Sequence, residues 1–242
     1  MTDRDSLSRA FAPTGTLRAA LNLANHLVAG SRTSTEKPAG VSVDLARELA
    51  HELGLPLDLL PFGSPVACVD ALTSGQADIG FVAVDPARAA GIHFSPPYLQ
   101  IEGCYLVADD SAIHRNEDVD QTGIDIAVVA GSAYALFLGR HLKRARLAEM
   151  SSSQQVMESV RKRQHPVAAG IRQMLEAEAR QLAGVRLLPE RFMLIQQAMA
   201  MPGVRAPQAR AWLDDFVERS KRAGLVDRAL QRHGIVGAQV AP

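Results

Sequence analysis

The chain has 242 residues, with 26 Lys+Arg against 26 Asp+Glu, 47% hydrophobic residues and 5% aromatic ones. That apolar share supports a packed core over one large domain or two small ones, and it excludes an intrinsically disordered chain. A net charge of zero gives no bulk attraction to polyanions, so nucleic acid would need a segregated basic face, and no run of about 18 apolar residues is present to span a bilayer.

Met1 to Pro13 (MTDRDSLSRAFAP) is polar and lacks the apolar stretch of roughly 7 to 15 residues that a secretory signal requires. The chain as written is therefore expected in the cytoplasm, or in the periplasm if a leader was removed from it. Leu17 to Leu23 then reads as a buried strand running into the polar, irregular stretch Ser31 to Gly40. Val43, Leu45, Ala46, Leu49, Ala50 and Leu53 recur at helical spacing and end at Gly54, which predicts a helix capped by Ser42 or Asp44. Leu57 to Phe62, Val66 to Ser74 and Ala77 to Val84 continue as strand, helix and strand. Crossovers of that length join parallel strands, so the first third is expected to be a β-α-β-α-β unit.

Ile101 to Asp109 predicts another strand, followed by the turn-rich segment Asp110 to Gly123, where a crossing between domains is expected. The pattern then restarts. Strands are predicted over Asp125 to Ala130, Arg146 to Met150 and Val167 to Ile171, with helices over Ala133 to Leu142, Ser153 to Arg163 and Arg172 to Leu182. Val185 to Met201 reads as a strand-rich return, and Pro207 to His233 as two helices broken at Gly224 and placed back on the first domain. Cys68 and Cys104 lack metal-ligand spacing and read as small buried hydrophobes.

In order and spacing, several fragments resemble the family 3 solute-binding proteins, the amino-acid receptors of bacterial uptake systems. They are Gly40 to Ala46 with Leu53-Gly54, then Leu72 to Asp78 (LTSGQAD), Asp85-Pro86-Ala87-Arg88 leading to Phe94-Ser95-Pro96-Pro97-Tyr98, and Gly131-Ser132 after a strand. The resemblance covers nearly the whole chain. It implies an α/β, two-lobed type II periplasmic-binding-protein-like fold, each lobe a central sheet flanked by helices. Lobe 1 would comprise residues 1–107 plus 194–242 and lobe 2 residues 108–193, with a ligand cleft between them that closes about a hinge.

For the site, the resemblance implies that Arg88 grips a ligand carboxylate. The planar guanidinium suits a bidentate contact, and the competing reading is an arginine in a surface turn. Ser132, with Ala133 and Tyr134, would present a hydroxyl and helix N-terminal N–H groups to anionic oxygen, or Ser132 simply caps its helix. Asp85 either receives a cation or caps the turn and orients Arg88, the structural role being favoured. Phe62 belongs to the expected ligand-binding set. In place of the family's aromatic lid stand Asn22, Asn25 and His26, with Asn25 a candidate hydrogen-bond donor. Phe81 and Ala83 occupy positions where such receptors often carry hydroxyls. Glu102, in a strand, points to solvent or into the cleft. One of Gln196 and Gln197 should face inward and the other outward, one of them lining the hinge, and Gln196 belongs to the expected ligand-binding set.

The departures bear on the ligand. Such receptors carry Asp-Ala in the last strand of lobe 2 and a further aspartate that pairs with the ligand ammonium, whereas this chain reads His165-Pro166-Val167-Ala168-Ala169-Gly170-Ile171-Arg172. An ammonium desolvated without a countercharge costs several kcal/mol, about the range that decides binding, so an ordinary α-amino acid is disfavoured. Arg172, if it faces the cleft, would set selectivity for a doubly anionic ligand. The expected partner is thus a small carboxylate or amino-acid derivative and an ABC permease, with no nucleic acid, membrane span, metal or cofactor.

Two rivals share the fold. Cyclohexadienyl dehydratases need a general acid, and of Glu149, Glu158, Glu176 and Glu178 only Glu149, at a strand end, is placed for it by the sequence. LysR-type effector domains are the other, but nothing ahead of Leu17 resembles a helix-turn-helix. No GxxxxGK or GxSxG motif is present, His51-Glu52 has no second histidine, and the basic stretches Arg140 to Arg146 and Arg161 to His165 read as solvated helix ends.

Overall fold

The computed structural model describes residues 3–25, 27, 29–30 and 38–242, and of residues 3–5 only the backbone. The chain divides into unit 1, Met1–Gln100 with Gln196–Pro242, and unit 2, Ile101–Ile195.

Unit 1 begins with α1 (Asp3–Phe11), β1 (Leu17–Asn22), α2 (Val41–Leu53), β2 (Leu57–Phe62), α3 (Pro65–Thr73) and β3 (Ile79–Ala83). β4 (Ile92–Ala108) leads into unit 2, which holds β5 (Asp125–Val129), α4 (Ala133–His141), β6 (Arg146–Met150), α5 (Ser153–Arg161), β7 (Val167–Ile171), α6 (Arg172–Ala179) and β8 (Val185–Leu187). β9 (Met193–Pro202) returns to unit 1, followed by α7 (Pro207–Arg222), α8 (Leu225–Arg232) and β10 (Gln239–Val240).

In unit 1, β1 pairs in parallel with β2 and with β3, and β9 runs antiparallel to β3 through Gly80↔Ala200 to Ala83↔Gln197. Packing of Leu72, Ala71 and Cys68 of α3 against Ala20, Val82 and Ala200 makes one core of this sheet. Gly54 ends α2 in the left-handed conformation at φ 67°, which a side chain would strain, and its N–H closes on Ala50 and His51. Ser64 caps α3 through Ala67 N–H. Three charges secure the same unit. Asp78 is fully buried and accepts from Arg18 Nε at 2.9 Å and from Arg205 Nη2 at 2.7 Å.

Period-two alternation builds unit 2 directly. Tyr105 and Val107, Ile126 and Val128, and Val167 and Ala169 pack with Ala135 and Leu138 of α4 in one core cluster. The intervening Leu106, Ala127 and Ala168 pack with Val156, Met157 and Val160 of α5 and Leu175 of α6 in another. The sheet is thus covered on both faces, which is why its strands are short apolar runs. In order its strands run β8, β4, β7, β5, β6, with β5 parallel to β6 and β7, and β4 antiparallel to β7 and β8.

Three differences from the sequence reading stand out. The crossings fall inside strands, at 100/101 in β4 and 195/196 in β9, rather than at 107 and 194 or in the turn-rich segment. A 17-residue strand passes from one unit to the other without a break in composition. Asp110 to Gly123 is instead a folded loop of unit 2, in which Asp118 accepts from the N–H groups of His114 and Arg115. Finally, α1 went unread because its sequence is polar; its Phe11 is buried edge-on against Trp212 of α7. Residues 196–242, with α7 and α8, cluster with unit 1.

Candidate functional site

The ten residues expected at the site divide evenly between the units: Asn25, Phe62, Asp85, Arg88 and Gln196 lie in unit 1, and Glu102, Ser132, Ala133, Tyr134 and Arg172 in unit 2.

Arg88 ends a 3-10 turn, Pro86–Arg88, that follows β3. Pro86 presets the turn, and Asp85 caps it by accepting from Ala87 N–H at 2.8 Å, the structural role favoured from the sequence. The fold brings the Arg88 guanidinium inward: the residue is 7% exposed and Nη1 donates to the Ala83 carbonyl at 3.0 Å. Burial pushes the guanidinium pKa down, and the nearby Asp85 carboxylate and Cys68 counter that shift. Arginine stays charged under such a shift, so a positive charge is held within unit 1. Its neighbour Cys68 is pushed up to about 12 by burial and is a buried thiol, as read from the sequence.

In the same unit, Phe81 is 1% exposed and meets Tyr98 edge-on at 6.1 Å between centroids. Its aromatic ring therefore serves the core. Tyr98 itself is fully buried and shares a hydrogen bond with Ser42, 3.1 Å away. Asn25 is buried, and its Oδ1 accepts from Leu27 N–H at 3.3 Å. His26 lies outside the described residues. Phe62 closes β2 and packs against the core under α3. In β9 the alternation holds: Gln197 is buried, while Gln196 is exposed and accepts from Val84 N–H through its carbonyl.

In unit 2, Ser132 caps α4 and its Oγ accepts from Ala135 N–H at 3.1 Å. The Ala133 and Tyr134 N–H groups occupy the first turn of α4, the positive end of the helix dipole. Burial pushes the Tyr134 phenol up, against the side chain of Ser132 and the main chain of Val129 that hold its hydroxyl.

Arg172 opens α6, and the structure gives it a partner. Its Nε donates to Glu102 Oε2 at 2.6 Å, its Nη2 to the Pro189 carbonyl at 3.0 Å, and Arg191 Nη1 takes the other Glu102 oxygen at 3.0 Å. Burial would raise the Glu102 carboxyl, but the hydrogen bonds from Arg191 and Arg172 outweigh it and hold the group below the usual carboxylate range. Arg172 is thus not a lone cation, and the expected doubly anionic ligand loses that support. Glu102, read as pointing to solvent or into the cleft, is partly exposed and meets two arginines.

Sequence reasoning missed a small cavity of about 30 Å³ in unit 2, at the ends of β5 and β7. It is lined by Tyr134 of α4, Ser153, Val156 and Met157 of α5, and Met174, Leu175 and Glu178 of α6, among others. The spacing of Met174, Leu175 and Glu178 on one helical face was the available signal. Among the four acids considered for catalysis, Glu149 is exposed on β6 and Glu158 is paired with Arg161 and Lys162, whereas Glu178 lines this cavity. Among the described residues, no group of three or more His, Cys, Asp or Glu could hold a metal ion, and no helix is long and apolar enough to cross a membrane.

Residues 29–234 match the model of the bacterial extracellular solute-binding proteins, family 3. The chain belongs to this family. Its fold matches that of the ancestral amino acid-binding protein that is a precursor of cyclohexadienyl dehydratase, with TM-score 0.74 and 21% identity, over 96% of this chain and 99% of that one. It likewise matches a putative binding component of an ABC transporter from Wolinella succinogenes complexed with lysine, with TM-score 0.77 and 20% identity, over 90% of this chain and 95% of that one. Among curated proteins, this solute-binding protein is 30% identical to the cyclohexadienyl dehydratase of Pseudomonas aeruginosa over 121 residues, 48% of this chain and 44% of that one. It is 34% identical to the membrane-bound lytic murein transglycosylase F of Alteromonas mediterranea over 111 residues, 45% of this chain and 24% of that one. The chain spans less than half the length of the curated relatives it matches.

Proposed function

We propose that this solute-binding protein encloses a small carboxylate solute, an organic acid or an amino-acid derivative, by hinge closure, and serves transport through an ABC permease or ligand sensing. The observation that carries the reading is Arg88, a charge kept within unit 1 on a preset turn where its planar fork can offer two parallel N–H donors to a carboxylate. Ser132 and the N–H groups of the first turn of α4 supply a second place for anionic oxygen.

Structural relatives hold lysine in one case and L-arginine in another. This chain differs from the family pattern where the α-ammonium would be met: Ile171 closes β7 as an aliphatic residue, and Arg172 is a cation already paired with Glu102. Standard α-amino acids are therefore poor solutes for it, since a desolvated ammonium needs an acid.

A thermal-shift screen of organic acids, amino-acid derivatives and the standard amino acids tests this. A carboxylate solute should raise Tm while the standard amino acids leave it unchanged. Micromolar binding of several standard amino acids by calorimetry would overturn the specificity. The match to a cyclohexadienyl dehydratase makes the enzyme the alternative, and product formation from prephenate or arogenate, followed by chromatography, would replace binding by catalysis.

A further inference from the structure

The cavity of unit 2 combines three features that a mere packing defect does not. Its walls are Val129, Val156, Ile171 and Leu175 with the two thioethers of Met157 and Met174, a surface that is apolar and adaptable. Its volume of about 30 Å³ is room for roughly two water-sized groups, on the scale of a short alkyl chain. And its lining includes one acid, Glu178, whose carboxylate meets no cation and no hydrogen-bond donor among the described residues.

Several other acids of unit 2 are engaged. Glu102 holds Arg172 and Arg191, Glu158 holds Arg161 and Lys162, Asp118 accepts from His114 and Arg115, and Asp120 accepts from the N–H groups of Lys143, Arg144 and Ala145. Glu178 sits on the same face of α6 as Met174 and Leu175, while Arg172 lies two positions away from that stripe and is engaged elsewhere. An acid beside a short apolar slot calls for a ligand with a positive charge at the end of a short chain: the methylenes leave water among the methionines, and the charge stays at the carboxylate. The Tyr134 ring, another wall of the cavity, adds a face that tolerates a cation.

We propose that this cavity is a subsite for a short aliphatic ammonium group, with Met157 and Met174 against the chain and Glu178 on the charge. The proposal deepens the solute-binding reading and rests on it.

The full chain, labelled with 13C at its methionine methyls, provides the test, with the Met157 and Met174 signals assigned through Met157→Leu and Met174→Leu. Titration with propylammonium should shift both signals saturably and leave the buried Met199 of unit 1 in place. Glu178→Gln should weaken that binding by about tenfold, the value of one charge-assisted hydrogen bond. Glu178 has no partner to lose, so the variant should unfold at the wild-type temperature. Unmoved methionine signals, equal shifts with butyrate or propanol, or unchanged affinity in Glu178→Gln would each overturn the subsite. The two readings fail separately. A carboxylate that stabilises the protein through Arg88 but leaves Met157 and Met174 unmoved removes only the subsite, whereas propylammonium binding that persists while no carboxylate binds removes only the carboxylate receptor.

Discussion

Arg172 Nε lies 2.6 Å from Glu102 Oε2, which ties the first residue of α6 to β4 within unit 2. Arg191 takes the second oxygen, so one carboxylate organises two arginines, both side chains of the closer pair being under one third exposed. Glu102→Gln is expected to lower stability to urea by about 1 kcal/mol at pH 7. The folded-state carboxyl titrates below its unfolded value of about 4.3. Its contribution is therefore fully present above that value and is lost as pH falls through the lower folded value. Urea unfolding at neutral pH and again well below about pH 4 should show the gap between wild type and variant closing; a gap that persists in acid would mean the loss is steric.

Asp78 is the more costly charge to disturb. It is fully buried and accepts from Arg18, through both the side chain and the main-chain N–H, and from Arg205. Removing it with Asp78→Ala leaves two arginines facing an emptied site, at a cost of about 3–5 kcal/mol. Chemical denaturation should register a loss of that size. A change under about 1 kcal/mol would show that water replaces the carboxylate at little expense.

The Ser132 cap separates a structural role from a binding role. Ser132→Ala should cost about 1 kcal/mol, and Ser132→Gly only a few tenths. If the hydroxyl also touches the solute, both variants weaken binding alike, and calorimetry against the solute found in the thermal-shift screen distinguishes the cases.

Arg88→Ala is expected to abolish the stabilisation that a carboxylate solute confers, and Arg88→Lys to weaken it by about tenfold, because an ammonium cannot reproduce two parallel N–H donors. The unliganded Tm checks folding, since Arg88 Nη1 also supports the Ala83 carbonyl. Unchanged ligand-induced stabilisation in Arg88→Ala would place the carboxylate elsewhere.

Much of this protein was legible before its structure. Strands Leu57 to Phe62, Arg146 to Met150 and Val167 to Ile171 fall where their short apolar or alternating runs put them, and the helix break at Gly224 is real because φ there is 69°, a conformation that glycine adopts without strain. What escaped was decided by contacts distant in sequence. α1 is polar along most of its length and is held by Phe11 against Trp212, about two hundred residues away in the chain, an encounter that no local periodicity encodes. Phe81 looked like a change in the ligand wall and proved to be a core residue facing Tyr98.

Chain length, balanced charge and the alternation of short apolar runs with helical stripes were enough to determine two tandem α/β units, since local hydrophobic period dictates which face each element must bury. Charge partners could not be read that way. That Arg172 meets Glu102, 70 residues earlier, that Arg88 folds inward onto Ala83, and that Glu178 is left beside an apolar slot all depend on where β4, β7 and the helices bring side chains in space. Balanced totals say how many charges a chain carries; only tertiary packing decides which of them are cancelled and which remain to meet a ligand.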